Sequence, residues 1–270
     1  MKPIPRSRLR IWLGARYYTW RRRMNWWFGA RRYAALRGNE PGQPYPVFRH
    51  QTPLYRSLKN VDMWMQRNKA HNLSIALRRL SGIVIRPGET LSYWKLIGKP
   101  TRRKGYREGM VLFYGSFRSG VGGGLCQLSN LIYWITLHTP LQVVERHRHS
   151  YDVFPDSSRT QPFGSGATCA YNYIDLQIYN PTDRPYQLHL ELDDAFLSGE
   201  WRTDRAPLHR YEVYERDHAI TLETWGRYVR HNTIYRKVYD LQGTCIGDEY
   251  ITENHAIMMY EPLLKEAGKG

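Results

Sequence analysis

The chain has 270 residues and a mass of 32.0 kDa, and its 40 Lys and Arg against 24 Asp and Glu give a formal net charge of +16. A hydrophobic fraction of 41% excludes a disordered chain, and no apolar run approaches the ~18 residues of a membrane-spanning helix. Residues 1–50 hold twelve basic residues and one acid, so they carry +11 and leave +5 for the other 220 residues. This distribution excludes a uniformly basic protein that coats nucleic acid and indicates a basic arm joined to a nearly balanced body.

Residues 1–38 predict a basic amphipathic helical arm. Its apolar stripe recurs at spacings of three and four: Leu9, Leu13, Tyr17, Trp20, Met24 and Trp27. Arginines flank the stripe, and Arg22 is opposite it. Tryptophans beside a basic face are typical of a helix on an anionic membrane surface. The alternatives are a helix docked on its own domain with solvated arginines, and RNA binding, for which no RRM or KH signature is present.

The arm does not predict a signal peptide, because arginines interrupt each stretch that could form its apolar segment. The expected location is therefore cytoplasmic or peripheral on a membrane. Residues 39–53 predict a Pro-rich linker, with Pro41, Gly42, Pro44, Pro46 and Pro53. A helix is predicted over residues 60–80, with Gly82 as its stop signal and one apolar face made of Leu73, Ala76, Leu77 and Leu80.

Strands dominate the rest of the predicted pattern. One hairpin is expected over residues 83–94 and another over residues 175–192, each around a Pro-containing turn. Residues 99–107 form a second basic cluster, either a solvated loop or a contact for an anionic substrate. The sum is an α+β class: a single mixed domain over residues 54–262, with antiparallel strands and a few packed helices. Its core motif region is 88–200, and residues 201–262 are its strand-rich part.

A glycine-rich loop precedes one of the three cysteines. Gly122, Gly123 and Gly124 are followed by Leu125-Cys126-Gln127 and then by helical spacing up to Pro140. A helix N-terminus stabilises a thiolate, and the glycine N–H groups could form an oxyanion hole. Cys126 is therefore a candidate nucleophile. Cys169 and Cys245 are predicted to be structural. The sequence contains no Cys-x-x-Cys pair, so the cysteine spacing excludes a zinc ribbon.

A nucleophilic thiol also needs a base, and residues 143–150 contain two histidines. If this segment is a strand, the side chains of Glu145, His147 and His149 share one face. One histidine could then deprotonate Cys126 while a carboxylate orients its ring. Three other interpretations stay open: a buried, inert cysteine, a His-x-His metal pair completed by Cys126 or Glu145, and a phosphate-binding loop, although the P-loop ending is missing.

The motifs resemble those of the VanW family, which is named for an accessory protein of certain vancomycin-resistance clusters. The resemblance rests on Gly-Gly-Gly-Leu-Cys-Gln-Leu-Ser at 122–129, Val-Val-Glu-Arg-His-Arg-His-Ser at 143–150, and Gly-Ala-Thr at 166–168 leading to Asp175. Residues 95–110 and 252–256 also resemble the subgroup nearest that accessory protein. The resemblance extends over most of residues 49–262.

The resemblance implies a cysteine acyltransferase similar to the L,D-transpeptidases of peptidoglycan. Cys126 matches the nucleophile and His149 the best candidate for the base, with His147 second and Glu145 or Asp175 as a third member. The substrate-contacting set expected around them is Gly122, Gly123, Gly124, Gln127, Arg146 and Ser150. No cofactor or metal is expected. The expected partners are peptidoglycan stem peptides or precursors, together with an anionic membrane surface at residues 1–38, and not nucleic acid. The alternative function is a non-catalytic resistance-accessory or peptide- and anion-binding protein at the membrane surface.

Overall fold

The structure is a computed structural model and describes residues 7–38, 42–55, 63–113, 116–148, 150–153 and 161–261. Its helices are α1 (Arg8–Phe28), α2 (Met63–Leu80), α3 (Tyr93–Ile97) and α4 (Cys126–Leu137), with a short 3-10 helix at Arg102–Lys104. Its strands are β1 (Arg32–Tyr33), β2 (Tyr45–Pro53), β3 (Val84–Ile85), β4 (Glu89–Ser92), β5 (Glu108–Phe113), β6 (Ser116–Val121), β7 (Gln142–Glu145), β8 (Tyr151–Asp152), β9 (Gln177–Tyr179), β10 (Tyr186–Leu192), β11 (Phe196–Thr203), β12 (Arg210–Leu222), β13 (Tyr228–Tyr239) and β14 (Cys245–Met258). The predicted α+β class is confirmed.

The strands of the described residues form three four-stranded sheets and one two-stranded ribbon. The first sheet has the order β1-β4-β9-β7, the second β2-β11-β10-β3 and the third β12-β13-β14-β8, while β5 pairs with β6. Most pairs are antiparallel, but β1 with β4 and β14 with β8 are parallel. The strand-rich C-terminal part thus consists mainly of three long antiparallel strands, β12 to β14.

Helix α4 lies at the centre of the core, because it is apolar on nearly every side. Nine of its twelve residues are buried, and the helix packs against β2 and β11. Trp201 of β11 is fully buried and donates a hydrogen bond from Nε1 to Thr136 Oγ1 at 3.0 Å. Helix α2 buries its predicted face, including Leu73, Ala76 and Leu80. The core therefore holds the start of α4, where Cys126 lies, in a fixed position.

Three predictions about the strands are wrong. Residues 45–53 of the predicted linker form β2, which pairs with β11 along its whole length. The two predicted hairpins do not form, because β3 pairs with β10 while β4 and β9 pair with each other in another sheet. Alternation of apolar residues identifies a strand but not its partner, since any exposed ladder of backbone groups can pair with it.

Helix α1 is the helix predicted in the arm, and it packs on the domain. Ser7 caps it by accepting a hydrogen bond from Arg10 N at 3.3 Å. The docked side contains Arg22 and Trp26, whereas the predicted apolar stripe faces away and is largely exposed. None of the helices in the described ranges is long and apolar enough to cross a membrane.

Candidate functional site around Cys126

Cys126 is the first residue of α4, directly after the turn formed by residues 122–125. The predicted junction between glycine loop and helix is therefore confirmed. The thiol is half-buried, and its Sγ lies 3.8 Å from the carbonyl oxygen of Cys169. Cys169 lies in the segment that follows the Gly-Ala-Thr motif, so two parts of the sequence pattern meet at this sulfur.

Burial raises the pKa of the Cys126 thiol, although hydrogen bonds with the backbone of Cys169 and of Cys126 itself act in the opposite direction. Burial also raises the pKa of Cys169 well above its usual value, and the nearby Cys126 adds to this shift. The stabilisation of a thiolate by these hydrogen bonds is thus smaller than the cost of desolvation. Both cysteines are protonated at neutral pH, so a nucleophilic Cys126 requires a base.

The amides of the three glycines before Cys126 donate hydrogen bonds to carbonyl groups of the same chain. The amide of Gly122 donates to Arg107 O, that of Gly123 to Gly120 O and that of Gly124 to Met110 O, at 2.9–3.0 Å. A Cβ on Gly123 would lie 2.1 Å from the carbonyl carbon of Gly109 in β5. These amides are therefore not free to form the oxyanion hole that the sequence predicts, and the glycines serve close packing against β5.

Glu145 ends strand β7, and the chain leaves the sheet directly after it. The expectation that Glu145, His147 and His149 share one strand face is therefore wrong for His147, which lies in an irregular segment. The two side chains still meet, with His147 Nε2 3.3 Å from Glu145 Oε1. His149, the preferred base, lies outside the described residues.

Arg22 of α1 forms a two-point ion pair with Glu145. Its Nη1 donates to Glu145 Oε2 at 2.7 Å, its Nη2 donates to Oε1, and Nη2 also reaches Tyr173 O at 3.2 Å. Burial alone would raise the pKa of Glu145, but the hydrogen bonds from His147 and Arg22 outweigh it and hold the pKa below its usual value. Glu145 is therefore ionised and can orient His147.

Asp175 is fully buried and accepts four hydrogen bonds. The donors are Ser92 Oγ at 2.6 Å, Trp94 N at 2.9 Å, Leu176 N at 3.0 Å and Gln177 Nε2 at 3.2 Å. Two of these donors, Ser92 and Trp94, belong to the N-terminus of α3. This helix begins where the sequence predicts the second strand of the first hairpin. Burial raises the pKa of Asp175 to about 6, although its hydrogen bonds lower it. In this structure, Asp175 holds α3 against β9.

Arg146 and Gln127 bind other parts of the chain. Arg146 Nε donates to Gly166 O at 2.9 Å and Nη1 to Thr252 Oγ1 at 3.2 Å, with the guanidinium 4.9 Å from the centre of the Tyr133 ring. Gln127 Nε2 donates to Pro53 O at 2.9 Å. These contacts join the motif segments to β14 and β2. Ser150 is exposed, and its carbonyl accepts from Ile257 N at 3.0 Å. Contacts of Arg146, Gln127 and Ser150 with a substrate stay predictions.

The contacts that hold residues 166–169 beside α4 are not predicted from the sequence. Ser129 Oγ donates to Ala167 O at 2.7 Å, Asn130 Oδ1 accepts from Ala167 N at 2.8 Å, and Thr168 N donates to His147 O at 2.7 Å. The Ser-Asn pair inside the cysteine motif was the available signal for this. No local signal identifies Arg22 or Cys169 as neighbours of the site.

Within the described ranges, no group of three or more His, Cys, Asp and Glu side chains could hold a metal ion.

Comparisons with known proteins agree with the resemblance seen in the motifs. The family model described as VanW like protein matches residues 68–202. The vancomycin B-type resistance protein VanW of Enterococcus faecalis is 35% identical over 185 residues, which cover 68% of this chain and 67% of that protein. The uncharacterized protein YoaR of Bacillus subtilis is 30% identical over 119 residues, 44% of this chain and 38% of that protein. No solved structure matches significantly. The motifs, their contacts with one another around α4 and these matches show that the chain belongs to the VanW family.

Proposed function

We propose that this chain acts in vancomycin resistance as a cysteine acyltransferase on peptidoglycan stem peptides or their precursors, with Cys126 as the nucleophile. The resistance role rests on the similarity to the Enterococcus faecalis protein. The catalytic role rests on one structural observation: three motif segments contact one another in series, with residues 166–169 touching both the start of α4 and residues 145–148. These are the cysteine turn, residues 145–148 and residues 166–169.

The reaction proceeds in two steps. Cys126 Sγ attacks the carbonyl carbon that precedes the terminal D-amino acid of a tetrapeptide stem, and the thiol proton passes to the base. The C–N bond breaks, the D-amino acid leaves with a proton on its amine, and a thioester remains on Cys126. An amine of a neighbouring stem then attacks the thioester, forms the new peptide bond and returns the thiol.

The base in this scheme is a histidine of the 145–150 segment. His149 is preferred from the motif resemblance, and His147 is the described histidine that is already paired with a carboxylate, Glu145. A base is necessary, because burial keeps Cys126 protonated. The same burial favours a second candidate function, a resistance-accessory protein whose cysteine is an inert core residue.

The experiment is incubation of purified full-length protein with tetrapeptide-stem muropeptides, followed by mass spectrometry. Wild type is expected to produce cross-linked dimers and free D-amino acid. Cys126→Ser should lose both products, because the hydroxyl is a far weaker nucleophile. Cys245→Ser is the matched control, since Cys245 is exposed at the start of β14, and it should retain full activity.

Dimer formation by Cys126→Ser equal to wild type would reject Cys126 as the nucleophile. The accessory function is separated by measuring vancomycin susceptibility of a resistant host. Resistance that needs this chain but is unchanged by Cys126→Ser would establish the accessory function and reject the catalytic one.

A further inference from the structure

We propose that helix α1 binds an anionic lipid bilayer through the face that points away from the domain. Five apolar side chains of this face, each between 52% and 68% exposed, are Leu9, Leu13, Tyr17, Trp20 and Trp27. Together with the half-buried Met24 they recur at spacings of three and four residues, and so form one continuous stripe along the helix. None of the stripe residues is buried by the domain.

The opposite face of α1 is the one attached to the domain. Arg22 is paired with Glu145, Asn172 Nδ2 donates to Thr19 O at 3.3 Å, and Trp26 packs against the core. At about 100° per residue, Arg22 is on average about 180° from the stripe. The contacts of Arg22 therefore fix the helix so that the aromatic stripe faces outward.

Charge identifies the partner as anionic. Helix α1 contains six arginines and no acidic residue. Arg10, Arg16, Arg21 and Arg23 flank the stripe and are exposed. Exposed Trp and Tyr side chains suit the boundary between headgroups and acyl chains, and flanking arginines suit lipid phosphates. Nucleic acid would use the arginines but leaves the continuous Leu and Trp stripe without a partner.

Binding in this orientation also places the Cys126 site near the membrane. Helix α1 covers Glu145 and residues 172–173, and its diameter is about 10 Å. The Glu145 side of the site would thus lie about one helix diameter from the lipid headgroups. This last step rests on the proposed function and favours a lipid-linked precursor as its substrate. The lipid-binding proposal itself does not depend on catalysis.

The test is sedimentation of the full-length protein with vesicles of equal parts phosphatidylglycerol and phosphatidylcholine, compared with phosphatidylcholine alone. Wild type should sediment with the anionic vesicles. The pair Trp20→Ser and Trp27→Ser should weaken partitioning by about tenfold or more, because it removes two interfacial anchors. Arg10→Gln and Arg21→Gln should each weaken it by about fivefold.

The matched control is the pair Leu241→Ser and Tyr250→Ser, which removes two equally exposed apolar side chains from the β13–β14 region. This pair should sediment like wild type, and circular dichroism should show both pairs folded. Unchanged sedimentation of the tryptophan pair, or equal binding to phosphatidylcholine, would overturn the proposal. Tighter binding to single-stranded RNA than to the anionic vesicles would also overturn it. None of these readouts measures acyl transfer, so the two proposals fail independently.

Discussion

Gly123 lacks a Cβ, and the turn that presents Cys126 depends on this. Its α carbon approaches the backbone of Gly109 so closely that no side chain fits on either residue. From the sequence, a close approach to a ligand is predicted at this position. The close approach is real, but the partner is strand β5 of the same chain. Three consecutive glycines therefore predict a close backbone contact, but they do not distinguish a ligand from another strand of the same chain.

Replacement of Gly123 by Ala should destabilise the fold by at least about 2 kcal/mol, because the backbone of β5 or of the turn must move. Gly14→Ala is the matched control, since Gly14 lies within α1 and has no atom within 4 Å of an added Cβ. That change should be neutral or stabilising by up to about 1 kcal/mol. Urea unfolding followed by circular dichroism measures both. A Gly123→Ala protein as stable as wild type would contradict the packing described here.

At the scale of elements, the docking of α1 depends on a few polar contacts. The two-point ion pair between Arg22 and Glu145 is largely shielded from water, with 13% and 16% of the side chains exposed. Shielded, bidentate pairs of this kind are the strong ones. Arg31 adds a hydrogen bond from Nη1 to Gln177 Oε1 at 2.5 Å just beyond the helix. Helix α1 is thus attached on the side of the site rather than free as an arm.

Arg22→Ala should loosen α1, because it leaves Glu145 partly buried without its guanidinium partner. The expected cost is about 2 kcal/mol. Limited trypsin digestion measures it, since α1 contains several arginines that become cleavable when the helix detaches. Arg23→Ala is the matched control: it also removes one trypsin site, but the side chain is exposed. Faster cleavage in Arg22→Ala than in Arg23→Ala is expected, and equal rates would show that the ion pair does not hold the helix.

At the scale of the whole molecule, two buried groups make stability respond to pH in opposite directions. Asp175 has its pKa raised by burial from 3.8 to about 6, so the folded state holds the proton more tightly and stability falls as pH rises from about 4 to about 6. His138, at the end of α4, has its pKa lowered by burial from 6.5 to about 4. The unfolded state therefore takes up the proton first, and stability falls as pH drops from about 6.5 to about 4.

Each effect amounts to about 3 kcal/mol at most, so the two largely cancel in the wild-type protein. Single variants should reveal them. In Asp175→Asn, the free energy of unfolding should rise more steeply with pH between about 4 and about 6.5 than in wild type. In His138→Asn, it should fall over the same range. Urea unfolding at several pH values measures the slopes, and the double variant should return to a slope close to that of wild type. Parallel curves for all four proteins would contradict this account.

Local patterns in the sequence determined the three long helices of this protein. The 3.6-residue repeat identified the stripe of α1, the buried face of α2 and the start of α4 at Cys126, because a helix places its apolar side chains by its own geometry. Composition, motifs and family resemblance were also sufficient for the α+β class and the VanW assignment.

The tertiary structure alone decided which elements meet. The pairing of β3 with β10, the partner of Glu145 at Arg22 and the use of the Gly122–Gly124 amides within the chain all join residues distant in sequence or in different elements. Local spacing carries no information about such contacts, because they form only when separate elements compete to bury their faces and satisfy their backbone groups in one core.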